Sequence, residues 1–232
     1  MEAIRSGKAI DKILMQNNAT GETIGEIRKE AKDRNIPVQY VPAEKLNSIS
    51  RANHQGIIAF TASIRYLELQ EVISFVVEKG ETPLFLLLDG ITDVRNIGAI
   101  ARSALCMGVQ AIIIPDKGVA PLQEDAIKSS AGALENISIC RVNSLMKAVD
   151  ELHLNGIKVF ASEMTAQKKV FDINFTEPCA IVMGGEEKGV YPALMKICDE
   201  TFNIPMTGNF ESLNVSVAAG MILYEALKQR LF

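Results

Sequence analysis

Leu84 to Leu88 is an unbroken apolar run, LFLLL, closed by Asp89. A short run with no polar alternation has the length of a strand, and such a strand must be covered on both faces. Short apolar segments recur at Ala111–Ile114, Ile137–Arg141, Lys158–Ala161, Ala180–Met183 and Phe202–Pro205. Helical patterns separate them, over about 97–107, 123–130, 144–154 and 192–198, and a long apolar helix follows at the C-terminus. Strands alternating with helices imply an α/β fold with a mostly parallel sheet.

The first 63 residues follow a smaller version of the same pattern. Strands are expected at Lys12–Met15, Val38–Val41 and Gly56–Phe60, with a helix over Gly21–Arg34. The expected organisation is therefore a small α/β domain at 1–63, a linker and helix at 64–82, and a larger domain at 83–232. Ser63–Leu69 is the expected linker.

Composition excludes several function classes. No apolar run approaches the length needed to cross a bilayer, and the N-terminus lacks the apolar stretch of a secretory leader. Cys106, Cys140, Cys179 and Cys198 show no CxxC spacing, and only His54 and His153 could add imidazole. The expectation is a cytoplasmic protein with reduced thiols, no metal site and no membrane partner. Net charge is −4. Residues 1–66 carry ten Lys/Arg against seven Asp/Glu, so a mildly basic front precedes an acidic body.

Three loops after predicted strands carry the candidate chemistry, where ligands gather in open α/β sheets. In the first, Asn96 stands near a helix start and Arg102 six residues on, within an otherwise apolar helix. A guanidinium there is always charged and calls for an anionic or polar partner, unless it merely snorkels or pairs with a local carboxylate. The second is Gly184-Gly185-Glu186-Glu187-Lys188-Gly189, where glycines admit close backbone approach. It is neither GxGxxG nor a P-loop, so those nucleotide folds lose support. The third runs from Ile204-Pro205-Met206 through a polar loop to Ser212-Leu213-Asn214 and the last helix. Ser212 is the expected N-cap of that helix.

Together the three loops resemble one family. Asn96-x5-Arg102, Gly184-x-Glu186 followed by Gly189, and IPM-x4-ESLNVSVAAG over Ile204–Gly220 resemble the motifs of SpoU, or TrmH-type, RNA 2′-O-ribose methyltransferases of the SPOUT class. The resemblance covers roughly residues 83–231. The first segment, including Asn53-His54-Gln55-Gly56, is similar to the L30e-like RNA-binding domain fused to this core in the RlmB-like subgroup. Two departures stand out. Glu187 occupies a position where relatives often have glycine, and Met1 begins inside what resembles the family's first helix, its preceding strand or turn missing.

The resemblance implies a SPOUT α/β-knot, with a deep C-terminal trefoil knot, behind a small L30e-like domain. It implies S-adenosylmethionine as cofactor, without metal, held by Gly184, Ile204 and Leu213 with Met206 and Ser212 beside it. Arg102 matches the catalytic arginine, and Asn96, Glu186, Ser212 and Asn214 match the polar positions that shape the site around it. Because Arg102 is a poor base, its expected role is to bind a substrate phosphate and stabilise developing alkoxide charge. The implied partners are 23S ribosomal RNA, or a precursor ribosomal particle, and a second copy of the chain joined through the C-terminal region. The implied reaction methylates the ribose 2′-oxygen of a guanosine in that RNA. The alternatives are a guanosine of the transfer-RNA D-loop, or a non-catalytic RNA-binding protein on the same scaffold.

Overall fold

The computed structural model describes residues 10–34, 36–61, 64–208 and 212–232. The departure expected at the start of the chain lies outside these residues, as does the middle of the polar loop before the last helix. The chain divides into two compact units, Met1–Arg65 and Tyr66–Phe232.

The first unit has a three-stranded sheet, β1 (Ile10–Gln16), β2 (Val38–Val41) and β3 (Ile57–Thr61), in the order β2-β1-β3. β1 pairs parallel with β2 and antiparallel with β3. Helix α1 (Glu22–Asp33) buries Ile27 and Ala31 against Ile13 and Met15, whereas α2 (Ala43–Ile49) buries Leu46 against Leu14 and Val41. Helix α2 escaped the sequence reading because seven residues between Pro42 and Ser50 offer too few turns for a visible period.

The second unit is built on eight parallel strands in the order β4-β7-β6-β5-β10-β8-β11-β9. They are β4 (Tyr66–Leu67), β5 (Leu84–Asp89), β6 (Ala111–Pro115), β7 (Ser138–Val142), β8 (Lys158–Ser162), β9 (Lys168–Lys169), β10 (Cys179–Gly184) and β11 (Glu200–Asn203). Part of the expected linker is thus sheet. Tyr66 and Leu67 pair with Ile139 and Cys140 of β7, and Tyr66 packs under the Arg141 guanidinium at 3.5 Å. Two residues give no alternation to read, and their strand character comes from the neighbour they pair with. The following α3 (Leu69–Glu78) buries Leu69, Val72, Ile73 and Val76 over Phe85, Leu87 and Val149.

Leu84 to Leu88 are each about 1% exposed or less, the two-sided burial that their unbroken apolarity required. Helix α4 (Val94–Cys106) turns Ile97, Gly98, Ile100, Ala101 and Ala104 inward. Gly98 sits so close to Ser129, in α5 (Glu124–Ser129), that a Cβ would stand 2.6 Å from the serine side chain. The short α6 (Ala133–Asn136), then α7 (Leu145–Leu154) capped by Ser144, and α8 (Pro192–Met195) follow.

The last helix, α9 (Val215–Leu231), begins two residues later than Ser212 would place it, and its N-cap is Asn214. Near its far end the Arg230 guanidinium donates to the carbonyls of Phe175, Thr82, Pro83 and Glu177 at 2.7–3.0 Å. These carbonyls precede β5 and β10, so one side chain ties the C-terminus to the start of the two central strands.

Arg230→Ala leaves several carbonyls without their charged donor, and such bonds contribute about 1.5–3 kcal/mol each before overlap. The expected loss is about 3 kcal/mol, read from the urea midpoint. Arg230→Lys should recover less than half, because one ammonium cannot reach four carbonyls in a planar fork.

Candidate functional site

The carboxyl ends of β5 and β10 lie side by side, with Asp89 in register with Gly184. Past them the chain turns tightly. Gly185 N–H donates to Asp89 O and Gly189 N–H to Gly185 O, both at 2.9 Å. A Cβ on Gly184 would stand 1.9 Å from the Gly189 carbonyl carbon, and one on Gly185 would stand 2.4 Å from Gly90 O. No side chain fits at either position, so this loop must be glycine whatever its ligand.

The loop is the shared wall of two cavities. The first, about 290 Å³, opens at the ends of β8, β10 and β11. Gly184, Ile204, Met206, Ser212 and Leu213 all line it, together with Glu163. Met183, Ile204, Leu213 and Ala218 give the lining its apolar surface, and Glu163, Glu186, Glu187 and Lys188 its charged groups. A flat heteroaromatic group fits the apolar part, while the carboxylates favour a cationic centre. These residues therefore fit S-adenosylmethionine, whose sulfonium is positive. The segment Ser162–Met164 also borders this cavity, and the sequence reading had not singled it out. Its position directly after a predicted strand was the available signal.

At the boundary of the cavities three side chains converge. Asn96 Nδ2 donates to Glu186 Oε1 at 3.1 Å, Asn214 Nδ2 to the same oxygen at 2.7 Å, and Asn214 Nδ2 to Asn96 Oδ1 at 3.0 Å. Asn214 Oδ1 accepts from the backbone N–H groups of Ser216 and Val217 at 2.9 and 3.4 Å. Those N–H groups can only donate, so the Asn214 oxygen faces the helix and its amide hydrogens face Glu186. That orientation in turn fixes Asn96. One residue thus caps a helix and positions a carboxylate, whose other oxygen, Oε2, has no partner among the described residues.

The second cavity, about 590 Å³, lies on the other side of the loop, between it and residues 89–96. Asp89 Oδ2 accepts the Tyr191 backbone N–H at 2.7 Å, a role the sequence reading did not assign. Asp93 caps α4 through Arg95 N–H at 2.8 Å and pairs with the Arg95 guanidinium at 2.7 Å. That hydrogen-bonded pairing lowers the Asp93 carboxyl to about 2.

Of the expected polar residues, Asn96, Glu186 and Asn214 are brought together, and Ser212 lies on the wall of the first cavity. Arg102 is not brought to them. It is exposed, lines neither cavity and has no hydrogen-bond partner among the described residues. Six residues along a helix is about 9 Å of rise and leaves the two side chains about 120° apart. Among the described residues no cluster of His, Cys, Asp or Glu could hold a metal ion, and no helix is long and apolar enough to cross a membrane.

Comparison with known proteins bears on this arrangement. The model of the SpoU rRNA methylase family matches residues 83–224, and that of the RNA 2′-O-ribose methyltransferase substrate-binding family matches residues 1–67. A Bacillus subtilis protein named for the TrmH family of tRNA/rRNA methyltransferases is 34% identical over 230 residues, spanning 99% of this chain and 92% of its own length. A similarly named Staphylococcus aureus protein is 38% identical over 229 residues, with the same coverage. The crystal structure of the SpoU methyltransferase AviRb from Streptomyces viridochromogenes, in complex with S-adenosylmethionine, superposes with a TM-score of 0.64 at 26% identity. That match covers 99% of this chain and 86% of AviRb.

Two substitutions separate the roles of Asn214. Asn214→Ala should cost about 1–2 kcal/mol of stability through the lost cap. Asn214→Ser keeps a capping oxygen and should recover most of that in urea unfolding, but it lacks the amide donor to Glu186. Methyl transfer should therefore stay at least about tenfold low in both. Full recovery in the serine variant would show that Asn214 acts through the cap alone.

Proposed function

The chain belongs to the SpoU rRNA methylase family, and from that membership we propose that it methylates the ribose 2′-oxygen of a guanosine in large-subunit ribosomal RNA. It is an S-adenosylmethionine-dependent RNA methyltransferase. The observation that carries the finer reading is the Asn96–Glu186–Asn214 cluster, which sets an oriented carboxylate where a cofactor cavity meets a second cavity. The separate N-terminal unit, matched to a substrate-binding family, favours a large RNA over a compact one. A ribose in transfer RNA is the second reading, since the Bacillus and Staphylococcus relatives are named for both RNAs.

When bound, S-adenosylmethionine would supply a methyl group on a sulfonium, open to attack by the ribose 2′-oxygen. The chain's residues orient that attack. Glu186 is held through one oxygen by two amide donors, so its free oxygen can accept the hydrogen of the ribose hydroxyl. Gly184, Ile204, Met206, Ser212 and Leu213 wall the cofactor, and the deep C-terminal knot belongs to the same reading. Arg102 engages the substrate phosphate and the developing alkoxide charge from outside the single-chain cavities.

A homodimer is part of the proposal. Helix α9 buries Val215, Ala219, Ile222, Leu223 and Ala226 on one side. Val217, Met221, Tyr224 and Leu231 are 47–64% exposed at helical spacing on another. A helix that is apolar on more than one side belongs in an interior, and a second copy would supply the missing cover. Arg102 shares α4 with Leu105, itself 38% exposed, and with Ser103, which approaches Gly220 of α9. The same contact would thus bring Arg102 beside the interface. The expected location of the protein is the cytoplasm.

Labelled S-adenosylmethionine incubated with large-subunit RNA, small-subunit RNA and transfer RNA tests the activity, the site being mapped by resistance to alkaline cleavage. One labelled ribose in large-subunit RNA is expected. Arg102→Ala should lower transfer by at least about a hundredfold with cofactor affinity unchanged. Label in transfer RNA alone moves the substrate to the second reading. Tyr224→Glu should halve the mass in sedimentation and lower turnover with it; an unchanged mass would remove the dimer from the mechanism.

A further inference from the structure

The second cavity is larger than a ribose needs, and its wall is acidic. Asp89, Asp93, Glu186 and Glu187 face it, with Lys188 the basic side chain in the lining. A phosphate is disfavoured there, since like charges about 4 Å apart repel by roughly 4 kcal/mol at an effective dielectric of 20. Groups that donate hydrogen bonds are favoured. Tyr191 stands on the lining with its residue 61% exposed and its backbone fixed by Asp89. An exposed ring beside such a cavity is a stacking surface for an unpaired base.

The carboxylates divide by what they already bind. Asp93 is engaged with Arg95, and Glu186 Oε1 with the two amides. Asp89 gives one oxygen to Tyr191 N–H, and its other oxygen has no partner among the described residues. Glu187 has none on either.

We propose that this cavity receives the base of the target nucleotide, unpaired and stacked on Tyr191, and that Asp89 and Glu187 select guanine through its N1–H and amino groups. The inference rests on the ribose-methylation reading and supplies its base selectivity. Guanine presents two adjacent donors on its Watson–Crick edge, which match acceptor-only carboxylates. Adenine and cytosine place a ring acceptor beside their amino group, and a carboxylate repels that acceptor. The two cavities share Glu186, Glu187, Lys188 and Val215, so a base held in one sets its ribose at the mouth of the other.

The test uses the full chain loaded with S-adenosylhomocysteine and titrated with pentanucleotides UUXUU, where X is guanosine, inosine, adenosine or cytidine. Guanosine should bind tightest, and inosine, which lacks the amino group, about fivefold or more weakly. Tyr191→Ala should weaken guanosine binding about tenfold and Tyr191→Phe should not, as expected when stacking supplies about 1–3 kcal/mol. Glu187→Gln should narrow the preference for guanosine over adenosine. Equal binding of the four oligonucleotides, or native binding by Tyr191→Ala, overturns the proposal. Methyl transfer to ribosomal RNA is measured in parallel. Transfer without oligonucleotide selectivity removes the base site and leaves ribose methylation standing. Guanosine selectivity without transfer to any RNA keeps the base site and removes the activity.

Discussion

One carboxylate oxygen holds the site together. Glu186 Oε1 is reached by amides 90 residues before it and 28 residues after it in the chain. The start of α4, the loop after β10 and the start of α9 therefore share a single acceptor. Each of those segments also has a backbone reason to be where it is. Gly184 and Gly185 allow the loop to close, and the Asn214 side chain caps its helix. Asp93 caps the helix that carries Asn96. The side chains that would act on substrate are thus oriented by the bonds that end the strands and begin the helices. A fold that loosened at these termini would lose the chemistry before it lost the sheet.

The electrostatics follow from the same arrangement. The chain is acidic overall, and its acidity is concentrated after residue 66. For a protein that must approach RNA this costs long-range attraction. The carboxylates around the two cavities recover something in return. They favour a cationic cofactor on one side of the glycine loop and hydrogen-bond donors on the other. On the proposed reading, the slight basic excess of the first unit would leave phosphate contact to that unit and to exposed arginines such as Arg102. A division of this kind makes affinity depend on salt more strongly than selectivity does.

The central sheet was legible because two-sided burial writes itself as unbroken apolarity. Leu84–Leu88, Ala111–Ile114 and Ala180–Met183 are all interior strand residues. Short elements were not legible, since Tyr66–Leu67 and Ala43–Ile49 take their form from what they pack on. The cap of the last helix shows the limit of local reasoning. Ser212 and Asn214 are both good capping residues two positions apart. Asn214 is used because its side chain also meets Asn96 and Glu186, which are distant in sequence. Asp89 and Tyr191 went unread for a similar reason: their bond spans 102 residues.

Arg102 shows what a single chain leaves incomplete. Sequence spacing made it a neighbour of Asn96, yet helical geometry turns it about 120° away, onto an exposed face. A charged side chain without a partner among the described residues, beside an exposed apolar helix surface, is poorly explained by either feature alone. A second copy docked on α9 would account for both, burying Met221 and Tyr224 while bringing Arg102 to the edge of the joint surface. Catalytic competence would then depend on association, because the cofactor cavity is formed within one chain and the arginine is left outside it. Cofactor binding and turnover would respond differently to dilution, the first following folding and the second following the dimer.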